Sequence, residues 1–140
     1  MSLGYLITTQ LDIIYNKENI QKTIEVGTKN LYFKYYQIDY SSMNCTGKLL
    51  SINETVNYIY LSKFDPTMNI VLVEVEKSYF FLSFSQDYVH LTISFFNFFL
   101  PWSKKFIDDD TPDIDIARYI KLMLDLTSQY KILNLKVEKD

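Results

Sequence analysis

The acidic run between Asp108 and Asp115 is the first segment whose residue types could do chemistry. Its candidate metal ligands are Asp110, Asp113 and Asp115. A hard cation needs several oxygens that converge on one point. The run lacks the glycine of a calcium-binding loop, and Pro112 stands where a ligand would be expected. We therefore interpret the carboxylates as a solvated helix N-terminus, which the helix dipole favours, and we expect neither a metal nor another cofactor.

His90 is the only histidine in the chain and therefore the natural candidate for a general base. Such a base needs a partner that fixes its tautomer and a nucleophile within reach. The sequence around His90 supplies neither, which favours a half-exposed histidine on a strand. The alternative is a small-ligand-binding protein or a hydrolytic enzyme, with a pocket between sheet and helix near His90.

Other common catalytic motifs are missing from the sequence. The three glycines, Gly4, Gly27 and Gly47, are too far apart for a phosphate-binding loop. No glycine flanks the strand serines, as a nucleophile elbow would require. The sequence therefore predicts a protein without catalytic activity.

Tyrosine is the conspicuous residue type, with 12 copies. Its large ring and polar tip suit protein interfaces, although a preference for strands also explains its abundance. The segment Phe95–Trp102 has a similar ambiguity, because it suits either the core or an exposed patch that needs a partner. The predicted interaction surface comprises Tyr58, Tyr60, Tyr79, Tyr88, His90, Phe98 and Trp102.

Alternation of apolar and polar residues predicts most of the strands. The segment from Asn69 to Phe99 forms three successive antiparallel strands, with breaks at Lys77-Ser78 and Gln86-Asp87. The other predicted strands are Tyr5 to Ile14, Leu31 to Tyr40, Leu49 to Ile52, Thr55 to Ser62, and an edge strand from Asn134 to Glu138.

Two helices are predicted. A short one runs from Lys17 to about Thr28, with Asn16 as its N-cap and Gly27 as its stop signal. A longer one follows the acidic run, with Pro112 in its first turn and Lys131 near its end. Its apolar stripe would pack on the sheet face that carries Phe80, Leu82, Phe84, Val89, Leu91 and Ile93.

The expected architecture is a single α+β domain spanning residues 1–140. It has an antiparallel-rich sheet of about six or seven strands, with a short N-terminal and a longer C-terminal helix packed on one face. The biased composition, with one alanine, one arginine and 13 lysines, is typical of an AT-rich genome.

Charge and composition narrow the choice of partner and location. A net charge of −3 and a single arginine disfavour nucleic acid. The N-terminus lacks the pattern of a signal peptide, and no apolar run is long enough to span a bilayer. We therefore expect a soluble cytoplasmic protein that binds another protein or forms a homodimer, as small immunity proteins, adaptors and self-associating subunits do.

Overall fold

The computed structural model describes residues 5–39, 41, 46–61, 70–96 and 115–139 of the chain. The α+β class is confirmed, with three helices and seven strands in these ranges. The elements in chain order are β1 (Tyr5–Ile14), α1 (Lys17–Asn30), β2 (Lys34–Ile38), β3 (Thr46–Leu50), α2 (Ile52–Leu61), β4 (Ile70–Val75), β5 (Ser78–Asp87), β6 (His90–Phe96), α3 (Asp115–Leu126) and β7 (Ile132–Lys139).

All seven strands form one antiparallel sheet in the order β3-β2-β4-β5-β6-β1-β7. The prediction of three successive antiparallel strands in the middle of the chain is confirmed for β4, β5 and β6. The C-terminal strand lies at an edge of the sheet, as predicted, and pairs with β1 along most of the length of both strands. The described chain therefore places β3 and β7 at opposite edges.

The two faces of the sheet differ in what packs on them. The first face carries Val73, Phe80 and Phe95, which share one buried cluster with residues of all three helices. The second face carries Tyr79, Phe81, Ser83 and their cross-strand neighbours, and it has a smaller apolar cluster of its own.

The centre of the first-face core is aromatic. The ring of Phe80 lies 4.6 Å from that of Phe95, 5.5 Å from that of Tyr119 on α3, and 5.6 Å from that of Phe33. Tyr119 also stacks on Tyr5 of β1 with a ring separation of 5.0 Å. These contacts join α3 to the middle of the sheet.

Helix α1 begins as predicted and ends later. The side-chain oxygen of Asn16 accepts a hydrogen bond from the backbone N–H of Asn19 at 2.8 Å, which confirms the N-cap. The helix continues to Asn30, slightly beyond the predicted end near Thr28, so the interpretation of Gly27 as its stop signal is wrong. Helix α3 ends at Leu126, so the prediction that Lys131 lies near its end is wrong. The Thr127 hydroxyl that follows donates to the Met123 carbonyl at 2.8 Å.

Helix α2 replaces the strand predicted between Thr55 and Ser62. Its N-terminus is a capping box: the Ser51 hydroxyl accepts from the Glu54 N–H at 3.1 Å, and a Glu54 carboxylate oxygen accepts from the Ser51 N–H at 3.0 Å. The helix buries Thr55, Val56 and Ile59 on one side. Ile59 and Leu61 alternate with tyrosines and therefore fit a strand pattern as well, which is why the periodicity alone was misleading.

The capping box makes stability depend on pH. The Lys48 ammonium, 2.7 Å away, and the Ser51 donors hold the pKa of Glu54 at about 2. Because the pKa is lower in the folded state, this stabilisation is present above pH 4.5 and is lost as the pH falls towards about 2. We expect the stability advantage of the wild type over Glu54→Gln to shrink across that interval in urea unfolding measured at several pH values. Glutamine can retain the cap but not the charge, so an advantage that is independent of pH would contradict this assignment.

The two central turns lie at different residues from those predicted. They are Glu76-Lys77 and Tyr88-Val89, so β5 extends to Asp87, and Val89 is exposed in a turn rather than on the apolar sheet face. Glu76, Lys77 and Tyr88 have positive φ angles of 50°, 67° and 56°. These left-handed conformations favour glycine, and the sequence offers no glycine there that would mark the turns.

Arg118 of α3 holds the first of these turns. Its guanidinium donates to the Ser78 hydroxyl at 2.8 Å, to the Val75 carbonyl at 3.3 Å and to the Glu76 carboxylate at 3.1 Å. The only arginine of the chain therefore joins the helical layer to the strained end of the β4–β5 hairpin.

Lys77→Gly should stabilise the protein, because a left-handed conformation costs a non-glycine residue roughly 1 kcal/mol or more. Lys77 is exposed, and no ion pair is described for it, so the backbone effect should dominate. Urea unfolding would measure the change. Ser85→Gly is the matched control: it makes an exposed position inside β5 a glycine and should destabilise by roughly 0.5–1 kcal/mol. If both Lys77→Gly and Ser85→Gly destabilise the protein, the proposal that the backbone is strained at Lys77 is wrong.

Candidate functional site

On the second face, at the end of the sheet next to the β5–β6 turn, His90 lies close to two carboxylates. Asp87 is its direct neighbour across β5 and β6, and Asp12 of β1 lies with its Oδ1 3.9 Å from the His90 Nε2. The Asp87 carboxylate already accepts a hydrogen bond from the Gln10 amide at 3.1 Å. The cross-strand pairing therefore assembles a small polar group that sequence spacing did not reveal.

The chemistry open to His90 is limited by what surrounds it. Its Nδ1 is buried and has no hydrogen-bond partner among the described residues, as is also true of the Thr92 hydroxyl two residues along β6. Asp12 at 3.9 Å is too distant for a hydrogen bond that would orient the imidazole. The group could hold a polar ligand, but it does not form an aligned base and nucleophile.

Tyr79 lies on the same face at the opposite end of β5. It donates to the Glu74 carboxylate at 2.9 Å, and Tyr36 donates to the other oxygen of that carboxylate at 3.0 Å. Partial burial and these bonds raise the pKa of both phenols. The carboxylate links strands β2, β4 and β5, and the Tyr79 hydroxyl is consequently engaged within the sheet.

The other predicted surface residues are not brought together. Tyr88 is 88% exposed in the β5–β6 turn, whereas Tyr58 and Tyr60 lie on α2 and pack against the first-face core. Phe98 and Trp102 lie outside the described residues. The described members of the predicted surface thus fall on three separate parts of the molecule.

The metal candidates are mostly beyond what the structure describes. Asp110 and Asp113 lie outside those ranges, and Asp115 is the first residue of α3. Elsewhere, the described residues contain no group of three or more His, Cys, Asp or Glu side chains that could hold an ion.

The two described cavities both lie along α1 rather than near His90. One, of about 190 Å³, lies between the C-terminal half of α1 and Gln129; the other, of about 550 Å³, follows the charged outer side of the helix. Both are open and lined largely by flexible lysine and glutamate side chains, so they lack the converging groups of a built site.

The edge strand β7 has a more distinctive surface. Leu133, Leu135 and Val137 are 42%, 36% and 43% exposed, although they lie within five residues of one another. Leu135 and Val137 pair with the buried Thr9 and Ile7 of β1, which places them on the first face, beside the core. No other described strand pairs with the outer edge of β7.

The polar side chains of β7 lie on the second face. Lys136 and Glu138 pair with Thr8 and Leu6 and form an ion pair with each other at 2.6 Å. Of the charges that commonly protect an edge strand, Lys136 and Glu138 therefore neutralise each other on the second face, and the first face is apolar from Leu133 to Val137.

The opposite edge is less suited to binding a strand. Strand β3 has five residues against eight in β7. Leu49 is 56% exposed there, but its neighbour Lys48 is an exposed lysine that pairs with Glu54 of α2. Among the described elements, β7 is consequently the longer and more apolar edge.

Comparison with protein families, curated proteins and solved structures found no match to this chain. None of the helices in the described ranges is long and apolar enough to cross a membrane.

Proposed function

We propose that the protein is a non-catalytic interaction module that binds an extended segment of another polypeptide along β7. The observation that carries this proposal is the row Leu133, Leu135 and Val137, exposed on a strand whose outer edge has no described partner. Scattered apolar residues on a surface need no explanation, but an apolar row along an unpaired edge does.

Strand addition would use both features of β7. An added strand gains affinity from main-chain hydrogen bonds and specificity from contacts with alternate side chains. Full burial of a leucine or valine side chain contributes about 1.5–3 kcal/mol, so these half-buried side chains retain roughly 1 kcal/mol each for a partner. The apolar row would therefore reinforce the backbone pairing.

Leu135→Lys should abolish association, because it places a charge in the apolar row where the partner strand would pack. The measurement is native mass spectrometry of the protein purified gently from its own cells, which reports a partner or a dimer. Leu49→Lys is the matched control, since it makes the same change on the opposite edge strand at a more exposed leucine.

The expected result is loss of the associated species in Leu135→Lys and its retention in Leu49→Lys. Circular dichroism of both variants would verify that each is folded. Association that survives Leu135→Lys in a folded protein would overturn the proposed role of β7.

The second candidate function is small-ligand binding or hydrolysis at His90. The observation that favours it is the buried Nδ1 without a described partner, next to Asp12 and Asp87. A bound small molecule seen by native mass spectrometry, lost in His90→Ala and kept in Tyr88→Ala, would support this candidate.

Charge and composition support a protein partner and a cytoplasmic location. A chain with a net charge of −3 and one arginine is poorly equipped to bind phosphates. Its single cysteine permits no internal disulfide of the kind that stabilises many secreted domains.

A further inference from the structure

We infer that the strand bound by β7 is the β7 of a second copy of this chain, paired antiparallel about a two-fold axis at Leu135. The inference rests on the proposed strand addition at β7. Its basis is the order of side chains along β7. When the strand is paired antiparallel with itself, this order decides which residues lie opposite each other in each register.

Only one antiparallel register places an apolar residue of the second copy opposite each of Leu133, Leu135 and Val137. With the axis at Leu135, this residue faces its own copy, and Leu133 takes the position opposite Val137 in both directions. Leu133 is also where the pairing of β7 with β1 shifts register, between Ile132 and Asn134. With the axis at Lys136, two like charges face each other, which is unfavourable. With the axis at Val137, Leu135 would face Lys139; with the axis at Asn134, Val137 would face Lys131.

The charges on the second face are compatible with this register. Lys136 would face Asn134 of the second copy, while the 2.6 Å ion pair with Glu138 in its own chain stays intact. Like charges would face each other only at the two ends of the pairing, where Lys131 would lie opposite Lys139 of the second copy; none would do so among residues 133–137.

The pairing would also close the assembly. A two-fold axis perpendicular to the sheet joins the same edge of both copies, and such an isologous contact cannot propagate. The result is a continuous sheet of 14 strands, from the seven of each copy, with both helical layers on the same face. The shorter β3 would form both outer edges.

Single-cysteine variants provide the test, because cross-strand neighbours are close enough for a disulfide. Directly opposed residues of antiparallel strands have Cα atoms about 4.5–5.5 Å apart, within the range of about 4.4–6.8 Å that a disulfide requires. The native Cys45 is first changed to Ser. Leu133→Cys, Leu135→Cys and Val137→Cys are then made singly, oxidised in dilute solution and analysed on non-reducing gels.

The expected result is a disulfide-linked dimer for Leu135→Cys alone. Leu133→Cys and Val137→Cys should form it only when mixed with each other, because each residue lies four positions, about 13 Å, from its own copy. If Leu135→Cys folds poorly, the mixture of Leu133→Cys and Val137→Cys still tests the register. Leu49→Cys on β3 is the control, because it measures the yield of disulfide-linked dimer that arises from random collisions.

Two results would overturn the inference. The first is a dimer yield from Leu135→Cys, and from the mixture, that does not exceed that of Leu49→Cys. If Leu135→Lys nevertheless removes a protein partner in native mass spectrometry, strand addition at β7 stands. Only the identification of the bound strand as the β7 of a second copy is then wrong. The second is crosslinking of Val137→Cys alone, which would contradict the register.

Discussion

Phe80→Ala is expected to destabilise the protein by about 3–5 kcal/mol, the usual cost of removing a buried phenylalanine ring. Phe80 is fully buried and contacts Phe33, just before β2, Phe95 of β6 and Tyr119 of α3. Domains of this size have a free energy of unfolding of about 5–15 kcal/mol. The change would therefore remove a large part of the total stability.

The measurement is urea unfolding followed by far-ultraviolet circular dichroism. Tyr88→Ala is the control, because this aromatic residue is exposed in a turn and its loss should change stability by less than about 0.5 kcal/mol. Phe80→Leu should fall between the two, since it keeps much of the apolar volume. A cost for Phe80→Ala no larger than that for Tyr88→Ala would show that Phe80 is not the centre of the core.

The importance of Phe80 could be anticipated in part from the sequence. The alternation of Phe80, Leu82 and Phe84 with more polar residues predicted a strand with one buried face, and all three are buried on the first face. The partners Phe33 and Tyr119 could not be anticipated, because they depend on the order of strands and the position of α3. Local periodicity reports which side of a strand is apolar, and it carries no information on distant neighbours.

The error at α2 has a different origin. Alternation across Tyr58, Ile59, Tyr60 and Leu61 fits a strand, and the tyrosines themselves favour strands. Ser51 and Glu54, three residues apart, formed a capping-box signal that would have indicated a helix start. A local capping interaction, together with apolar residues at helical spacing, outweighed the intrinsic preference of the tyrosines.

The candidate interaction surface is harder to predict from the sequence than the fold. Position in the sequence indicated that the C-terminal strand lies at an edge, and the sheet order agrees. It could not indicate that Leu135 and Val137 remain exposed, because exposure depends on how far the helical layer extends over the sheet. Residue type alone groups Tyr58, Tyr60, Tyr79 and Tyr88, whereas the fold distributes them between α2, the second face and a turn.

Gly27→Ala is expected to destabilise the protein by about 1–3 kcal/mol, the usual cost of overpacking, although alanine is the better helix former by about 1 kcal/mol. Gly27 lies inside α1 and has an ordinary helical φ. A Cβ atom there would meet the Tyr35 hydroxyl and lie 2.8 Å from Cδ2 of Phe33. Close approach of β2 to α1, rather than the end of the helix, therefore explains why the residue is glycine.

The neighbours of Gly27 have little freedom to move away. Tyr35 is buried, and its hydroxyl donates to the Ile24 carbonyl at 3.4 Å; burial also raises its pKa. The ring of Phe33 is fixed by its edge contacts with Tyr35 and Phe80. The extra methyl group would therefore strain both the helix and the start of β2.

A double-mutant cycle with Tyr35→Phe would isolate this contact. Tyr35→Phe removes the hydroxyl, so Gly27→Ala should cost less in that background, while the contact with Phe33 retains part of the cost. Lys29→Ala is the control for helix propensity, because Lys29 is exposed on the same helix. If Gly27→Ala instead stabilises the protein by the helix-propensity difference, the neighbouring rings can give way, and the glycine is not required by space.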